Sequence, residues 1–255
     1  MNKRSLEEIV KSEAEIHDED SLDRGKIRKL RRHAFHYSTK RMDTILNRIV
    51  ATFKNKELLE YGSSTWIYWL KGKSEPKKVT CINISEVRLK HDKSFSDSVP
   101  FEMDFLLMDA NELKFADESF DVVYGGAILH HLDIEKSLSH VHRVLKPGGY
   151  ILFGEPLNIN PLYKLYRVLN PKERTPDEHA LVLNDFKIIK EKFTFEHYFF
   201  DFFSVFTGFI SLKIYGDKNY NNWINKTGYY LDVILSKIPF SHVLFARVLI
   251  YGKKK

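Results

Sequence analysis

The sequence predicts an α/β fold, with a doubly wound, mostly parallel seven-stranded sheet behind an N-terminal helical extension. Between residues 58 and 154, short apolar runs of strand length alternate with helical segments. Two further strand-like runs follow, at Thr194–Phe200 and His242–Tyr251. Strands that alternate with helices are typical of parallel sheets covered on both faces. We therefore expect a Rossmann-like arrangement, in which ligands bind beyond the carboxyl ends of the strands.

The first 56 residues are predicted to be helical. From Met42, apolar residues recur at the 3.6-residue spacing of an amphipathic helix, and the polar run 54–56 ends it. The charge-dense stretch 18–32 is expected to be a solvated connector or a helix. We assign residues 1–56 to a helical extension and residues 57–255 to the main domain.

The strands of the main domain are predicted from five apolar runs. They are Leu58–Tyr61, Val79–Ile82, Phe105–Met108, Phe120–Tyr124 and Tyr150–Gly154. Between the last two, a helix is predicted over Ile134–Leu145, because Pro147 cannot continue it and the following glycines favour a helix end.

The segment after Pro156 has a different composition. Residues 157–182 are predicted to be a connection with one short helix, Leu162–Leu169, and further helices are predicted over Leu183–Lys192 and Tyr229–Lys237. The last two strands are expected to pair antiparallel and complete the sheet. Residues 157–192 are placed to act as an insertion or lid over the site where an acceptor binds.

The composition excludes several classes of protein. The chain has 255 residues, 43% of them hydrophobic, and a formal net charge of +6. Its single cysteine, Cys81, excludes an intramolecular disulfide and a multi-cysteine zinc site, and fits a reducing compartment. The N-terminal segment lacks the apolar stretch of a secretory signal. We therefore expect a cytoplasmic protein.

The charge is unevenly distributed. The segments 1–56, 57–156 and 157–255 carry +5, −5 and +6, so an acidic middle lies between two basic ends. The basic stretches Arg24–Arg32 and Lys253–Lys255 could face solvent, an anionic membrane or nucleic acid. No RNA-binding motif is visible, so we expect no nucleic-acid partner. The aromatic cluster at 198–209 is either core or, beside lysine-rich segments, a peripheral contact with the inner face of a membrane.

Polar and small residues follow the predicted strands. Gly62 ends the first strand, where a glycine lets backbone N–H groups approach a ligand closely, although an ordinary strand-to-helix turn explains it equally. Asn83 ends the second strand, 21 residues further on, near the position where dinucleotide sites carry an acid for ribose hydroxyls. Asp109 ends the third and could accept a hydrogen bond from an adenine amine. A role as a helix cap or turn residue is the alternative for both.

Three motifs carry a family resemblance. They are Asp109–Val123 (DANELKFADESFDVV), Leu129–Leu132 (LHHL) and Arg143–Tyr150 (RVLKPGGY). In this order and spacing they resemble the class I S-adenosylmethionine-dependent methyltransferases, particularly the small-molecule branch. The agreement runs from about Leu58 to Pro156.

The resemblance implies S-adenosyl-L-methionine as cofactor and a set of residues that bind it. These are Glu60, Gly62, Ser64, Asn83, Ile84, Asp109, Ala110 and Gly125. The family's glycine-rich loop has three alternating glycines, whereas here Ser64 and Trp66 replace two of them and Asn83 replaces the usual acid. A methyltransferase fold that has lost cofactor binding and acts as a binding or scaffold subunit is therefore the alternative function.

The acceptor and the catalytic base are expected from the segments after the fourth and fifth strands. Residues 155–163 and 174–179 resemble a subgroup of bacterial enzymes that modify sugars and secondary metabolites, which implies a small-molecule or glycan-like acceptor, methylated at oxygen. An oxygen nucleophile benefits from a base, and His131, Glu155 and His179 are the candidates. No metal is expected, because His130 and His131 have no third ligand at a suitable spacing.

Overall fold

The computed structural model describes residues 24–62, 74–94, 96–159 and 180–255. The predicted helix Leu162–Leu169 and most of the predicted lid lie outside these residues. Contacts divide the chain into two compact units. Over the described residues, the first unit contains 24–45, 157–159 and 198–248, and the second contains 46–62, 74–94, 96–156, 180–197 and 249–255.

Seven strands form one sheet, which confirms the predicted fold class. They are β1 (Glu57–Tyr61), β2 (Lys78–Asn83), β3 (Glu102–Leu107), β4 (Phe120–Gly126), β5 (Leu145–Pro156), β6 (Phe193–Phe200) and β7 (Arg247–Lys254). Their order is β3-β2-β1-β4-β5-β7-β6. Strands β1 to β5 pair in parallel.

The last two strands pair antiparallel, as the sequence predicts. The N–H of Ala246, just before β7, donates to the carbonyl of Phe200 at the end of β6 over 3.2 Å. The N–H of Lys255, just after β7, donates to the carbonyl of Lys192, just before β6, also over 3.2 Å. The start of one strand therefore lies beside the end of the other.

In the described part of the chain, six α-helices precede or connect the strands. They are α1 (Arg24–Val50), α2 (Glu86–Lys93), α3 (Ile134–Val144), α4 (Leu183–Lys192), α5 (Phe203–Tyr215) and α6 (Trp223–Leu235). Short 3-10 turns lie at Ala51–Phe53, Ser96–Ser98, Leu129–His131 and Ser241–Leu244. Asp133 caps α3 by accepting a hydrogen bond from the N–H of Lys136 over 3.0 Å, which satisfies one of the donors that a helix leaves free at its start.

Several predicted boundaries differ from the structure. The described part of the charge-dense stretch, residues 24–32, is helical, because α1 starts at Arg24. Strand β5 begins at Leu145, directly after α3, so it includes the Pro-Gly-Gly run. The start of β5 is irregular, because the register with β4 shifts there: Phe120 pairs with Leu145, but Val122 pairs with Tyr150. The predicted last strand, His242–Tyr251, begins only at Arg247, because Ser241–Leu244 form a 3-10 turn. In this turn the hydroxyl of Ser241 donates to the carbonyl of Leu235 over 2.6 Å. Helix α5 was not predicted.

The core of the second unit lies around the central strands. Strand β1 lies between β2 and β4. Strands β1 and β4 are buried along most of their length. Strand β3 is at the sheet edge, where Leu106 and Leu107 are exposed. The inner parallel strands therefore end side by side.

Candidate active site

The carboxyl ends of β1 to β5 lie along one edge of the sheet. Tyr61 is in register with Ile82 of β2 and with Gly125 of β4, and Gly126 is in register with Gly154 of β5. Ligands bind beyond this edge in doubly wound sheets. The predicted residues that follow these strands are therefore gathered in one region.

Gly62 makes the turn after β1. Its φ angle is +87°, a left-handed conformation that favours glycine, and its N–H donates to the carbonyl of Ile82 over 2.9 Å. A side chain here would also approach the Cδ1 atom of Ile128 to 3.3 Å. The glycine is thus required by the backbone and by its neighbour.

Gly125 ends β4 where no side chain fits. A Cβ atom at this position would lie 2.7 Å from the Cγ2 atom of Ile128 and 3.1 Å from the Cβ atom of Tyr61. Ile128 therefore covers both glycines of the site. Sequence reasoning missed Ile128, and its only signal was the pair of glycines that precedes it at 125 and 126.

Glu60 is buried inside the sheet. Its Oε2 atom accepts a hydrogen bond of 2.5 Å from the phenol of Tyr124 on β4, and the thiol of Cys81 on β2 lies 3.7 Å away. Burial, followed by the negative charge of Glu60, raises the pKa of the Cys81 thiol. Glu60 thus links three strands directly beneath the site.

Asn83 joins the ends of β1 and β2 through its side chain. Its Nδ2 donates to the carbonyl of Gly62 over 2.6 Å, and its Oδ1 accepts from the N–H of Ser85 over 2.9 Å. The amide therefore holds the Gly62 turn and the segment that leads into α2. Ile84, also predicted to bind cofactor, is half-buried beside it.

Asp109 and Ala110 follow β3. The Oδ1 atom of Asp109 accepts from both the N–H and the side-chain amide of Asn111, over 2.8 Å and 3.0 Å. Asn111 in turn accepts from the N–H of Asp133, over 2.9 Å. One oxygen of Asp109 thus fixes the loop, and Ala110 is buried against the protein.

Glu155 anchors the turn that follows β4. Its Oε1 atom accepts from the N–H groups of Ile128 and Leu129, over 3.0 Å and 2.9 Å. Its Oε2 atom lies 2.8 Å from the Nδ1 atom of His130, which carries the proton when Glu155 is ionised, because a carboxylate can only accept. Glu155, one of the predicted bases, is therefore buried, and its carboxylate holds two N–H groups and one imidazole of the turn after β4.

His131 lies at the end of the same turn and is exposed. Its ring is stacked obliquely on that of His130, with the centroids 4.1 Å apart. Desolvation by the protein around it, together with the neighbouring His130, lowers the pKa of His131 to about 4. At neutral pH the imidazole is neutral, so one ring nitrogen can accept a hydrogen bond or a proton.

The structure therefore brings most predicted site residues together. Gly62, Asn83, Asp109, Gly125, Glu155 and His131 all lie at or just beyond the carboxyl ends of parallel strands. Ser64, Trp66 and His179 lie outside the described residues. Within residues 24–62, 74–94, 96–159 and 180–255, no group of three His, Cys, Asp or Glu side chains could hold a metal ion.

Comparison with known proteins identifies this region. Residues 59–153 match the family model described as a methyltransferase domain. Over these residues the chain is similar to a methyltransferase domain. The matched residues start in β1 and end in β5, so they include the strand ends that form the site.

Relatives of the methyltransferase domain modify different kinds of atom. The ubiquinone/menaquinone biosynthesis C-methyltransferase UbiE of Vibrio campbellii is 35% identical over 41% of this chain and 41% of its own length. The 27-O-demethylrifamycin SV methyltransferase of Amycolatopsis mediterranei is 38% identical over 30% of this chain and 29% of its own length. The chain thus covers less than half of these relatives.

A solved structure shares the fold at low identity. The N-methyltransferase NodS of Bradyrhizobium japonicum, in complex with S-adenosyl-L-homocysteine, has a TM-score of 0.53 and 14% identity. The similarity covers 84% of this chain and 86% of NodS. It supports the architecture of the methyltransferase domain beyond the segment that the family model matches.

The residues of the site are compatible with S-adenosylmethionine. The strand ends offer side-chain oxygens, from Asn83 and Asp109, for the hydroxyl and amine donors of an adenosine group. At Gly62 and Gly125 the absence of side chains leaves room for Ile128, which packs over both residues beside the strand ends where such a ligand binds in this fold. Glu60, in contrast, is completely buried and supports the site from below.

Proposed function

We propose that this chain transfers a methyl group from S-adenosyl-L-methionine to a hydroxyl oxygen of a small, glycan-like acceptor. The observation that carries the proposal is the turn after β4, where Glu155 fixes His130 and places the neutral His131 at the carboxyl edge of the sheet. A hydroxyl loses its proton when it is methylated, and a neutral imidazole can accept that proton.

The protein's task is to bind and align the two reactants. S-adenosylmethionine, when bound, supplies a methyl group on a positively charged sulfur, which is already activated for transfer. Asn83, Ile84, Asp109 and Ala110 would hold its adenosine part, and the backbone at Gly62 and Gly125 its remainder. These residues act by proximity and by excluding water, which together account for much of the rate in reactions of this kind.

The acceptor side is assigned to the turn Leu129–His131. His131 takes the hydroxyl proton on a ring nitrogen, and Glu155 acts as a positioning residue, because both of its oxygens are bonded within the protein. Of the three bases that the sequence suggested, His131 is thus proposed as the base and Glu155 as the residue that positions it. His179 stays a prediction.

A second function is favoured by the bonds of two other residues. Asn83 occupies the position of the usual ribose-binding acid, and its side chain is bonded to Gly62 and Ser85. Glu60, at the position of the first acid of the glycine-rich loop, is bonded to Tyr124 inside the sheet. A methyltransferase fold that has lost cofactor binding and acts as a scaffold subunit fits these bonds.

Calorimetry with S-adenosylhomocysteine distinguishes the two functions. The enzyme hypothesis predicts saturable binding that Asp109→Ala weakens at least about tenfold, the loss expected for one hydrogen bond to a charged group. Asp97→Ala, on an exposed 3-10 turn, is the matched control and should bind normally. Absence of binding at millimolar ligand would overturn the enzyme hypothesis and support the scaffold.

The methylated atom is tested by product analysis. The chain is incubated with labelled S-adenosylmethionine and matched acceptors that offer a sugar hydroxyl, a phenol or a primary amine. Mass spectrometry should locate the label on oxygen, and His131→Gln should lower the turnover number by about 10²- to 10⁴-fold, the usual contribution of a general base. Transfer to nitrogen or carbon alone would overturn the assignment to oxygen.

A further inference from the structure

Helix α5 exposes large apolar side chains along one stripe. These are Phe206, Phe209, Ile210 and Ile214, at the i, i+3, i+4 and i+8 positions that share a helix face. Each is between 47% and 62% exposed. Exposed apolar residues in isolation are ordinary, but a continuous stripe marks an interaction surface.

Helix α6 repeats the pattern. Trp223, Tyr230, Leu231 and Ile234 occupy positions i, i+7, i+8 and i+11, and are between 41% and 68% exposed. Ile238 and Phe240 continue the apolar surface beyond the helix, and Phe240 is 83% exposed. We call the exposed stripes of α5 and α6 the apolar face.

The buried sides of both helices consist mainly of small or polar residues. Ser204, Gly208 and Ser211 are the buried residues of α5, and a Cβ atom on Gly208 would meet the backbone of Ala34 at 2.6 Å. On α6, Ile224, Asn225, Gly228 and Asp232 are buried, so three of the four buried residues are small or polar. A surface helix of a soluble protein normally has the reverse pattern. Small residues between helices and large apolar residues outside are characteristic of helices that contact lipid.

The charges on this stretch have one sign. Between Phe203 and Phe240, the exposed charged side chains are Lys213, Lys218, Lys226 and Lys237. The two acidic residues are otherwise engaged: Asp217 pairs with Lys29 at 3.1 Å, and Asp232 is buried, where it accepts hydrogen bonds from the first N–H groups of α5.

Lysine and aromatic side chains are interleaved on the apolar face. The Nζ atom of Lys213 lies 4.5 Å from the ring centroid of Phe209, and that of Lys226 lies 6.0 Å from the centroid of Tyr230. Long basic side chains beside aromatic rings suit a membrane interface, where the rings enter the lipid and the ammonium groups stay at the headgroups.

The lengths of the helices determine how they can contact a bilayer. Each has 13 residues, which corresponds to about 20 Å, well below the 30 Å of a hydrocarbon core. None of the described helices is long and apolar enough to cross a membrane. The helices can therefore only lie in the plane of the interface.

We infer that the apolar face docks the chain on the surface of an anionic membrane. The lysines complement the negative charge of such a surface. A second copy of the chain is a poorer occupant, because a self-complementary contact would bring lysines of the same sign together. The inference concerns a surface of the first unit and does not depend on methyl transfer.

Vesicle co-sedimentation of the full chain tests the inference. We expect binding to phosphatidylcholine vesicles that contain about 30% phosphatidylglycerol, and much weaker binding to phosphatidylcholine alone. Raising the salt from about 0.1 M to about 1 M should weaken binding, because the Debye length falls from about 10 Å to about 3 Å.

Three variants assign the binding to the apolar face. The triple variant Phe209→Gln/Ile210→Gln/Ile214→Gln should lower the partition coefficient by about a hundredfold, because three half-exposed apolar groups no longer enter the lipid. The double variant Lys213→Gln/Lys226→Gln should lower it by about 25-fold, or about fivefold per lysine. The matched control Val87→Gln/Lys93→Gln changes exposed residues of α2 and should bind like the unchanged chain.

Two results would overturn the inference. The first is binding that is unaffected by the triple and double variants, with the fold of each verified by circular dichroism. The second is a chain that does not sediment with anionic vesicles but forms a dimer in solution, measured by light scattering, which the triple variant dissociates. That second result would assign the apolar face to a second copy.

Discussion

The side-chain amide of Asn83 donates a 2.6 Å hydrogen bond to the carbonyl of Gly62, and so joins the ends of the neighbouring strands β1 and β2. At this position class I methyltransferases usually carry an acid. Asn83 therefore lacks the negative charge of that acid, and instead provides a hydrogen-bond donor that holds the turn at Gly62. Two further contacts near the site, between Gly125 and Ile128 and between Glu155 and the turn after β4, can also be tested by substitution.

Asn83→Asp should destabilise the chain. An aspartate can still accept from Ser85, but it loses the donor to Gly62 and places a negative oxygen against a carbonyl. We expect a loss of about 1–3 kcal/mol in the free energy of unfolding, measured with urea. Asn219→Asp, at an exposed position, should change it by less than about 0.5 kcal/mol. Unchanged stability combined with tighter S-adenosylhomocysteine binding would contradict this interpretation.

Gly125→Ala tests the close contact beneath the site. The added Cβ atom would lie 2.7 Å from the Cγ2 atom of Ile128, so the turn must shift at a cost of about 1–3 kcal/mol. Adding Ile128→Leu, which removes Cγ2, should restore part of the loss. Gly154→Ala is the matched control, since its Cβ atom would lie 3.8 Å from its nearest neighbour. An equal effect of the two alanines in urea denaturation would refute the packing argument.

Glu155→Ala should be among the most destabilising single changes at the site. It leaves the N–H groups of Ile128 and Leu129 and the ring of His130 without their shared acceptor, and we expect a loss of about 3–5 kcal/mol. Glu155→Gln keeps an oxygen for the backbone and should lose less, about 1–2 kcal/mol. Glu191→Gln, at an exposed position, is the control for the loss of one negative charge. Glutamine and alanine variants of equal stability would show that Glu155 does not hold the turn.

Much of the sheet was predictable, because its strands are short apolar runs between helices. The bounds of α4, Leu183–Lys192, agree with the structure, and β1, β2 and β4 lie where their runs predict. The positions of the site residues followed from the rule that parallel strands end at one edge. Their bonds did not, because partners such as Glu60 and Tyr124 are 64 residues apart.

Helix α5 escaped prediction for a different physical reason. Periodicity identifies a helix when apolar residues face the core and polar residues face solvent. In α5 the buried residues are Ser204, Gly208 and Ser211, while phenylalanine and isoleucine are exposed, so the usual signal is inverted. The aromatic cluster that the sequence assigned either to core or to a membrane contact is divided accordingly: Phe199 and Phe200 are buried, whereas Phe206 and Phe209 are exposed.

The titration of His131 gives a prediction for pH dependence. Its pKa is lowered from 6.5 to about 4 in the folded chain, so the unfolded chain binds the proton first as the pH falls. The contribution of His131 to the free energy of unfolding is therefore constant above pH 6.5, and it is lost as the pH falls from 6.5 to about 4. The loss of stability between pH 7 and pH 5 should be smaller in His131→Gln than in the unchanged chain.

The same pKa determines where methyl transfer should fail in acid. If His131 takes the proton of the acceptor, its titration should leave the turnover number unchanged from neutral pH to about pH 5.5. The turnover number should then fall with a midpoint near pH 4. A histidine with the ordinary pKa would give a midpoint near 6.5. NMR titration of the imidazole, assigned by its disappearance in His131→Gln, measures the same midpoint without requiring an acceptor. A midpoint near 6.5 in both experiments would show that the ring is fully solvated and that the turn after β4 does not create a special environment for it.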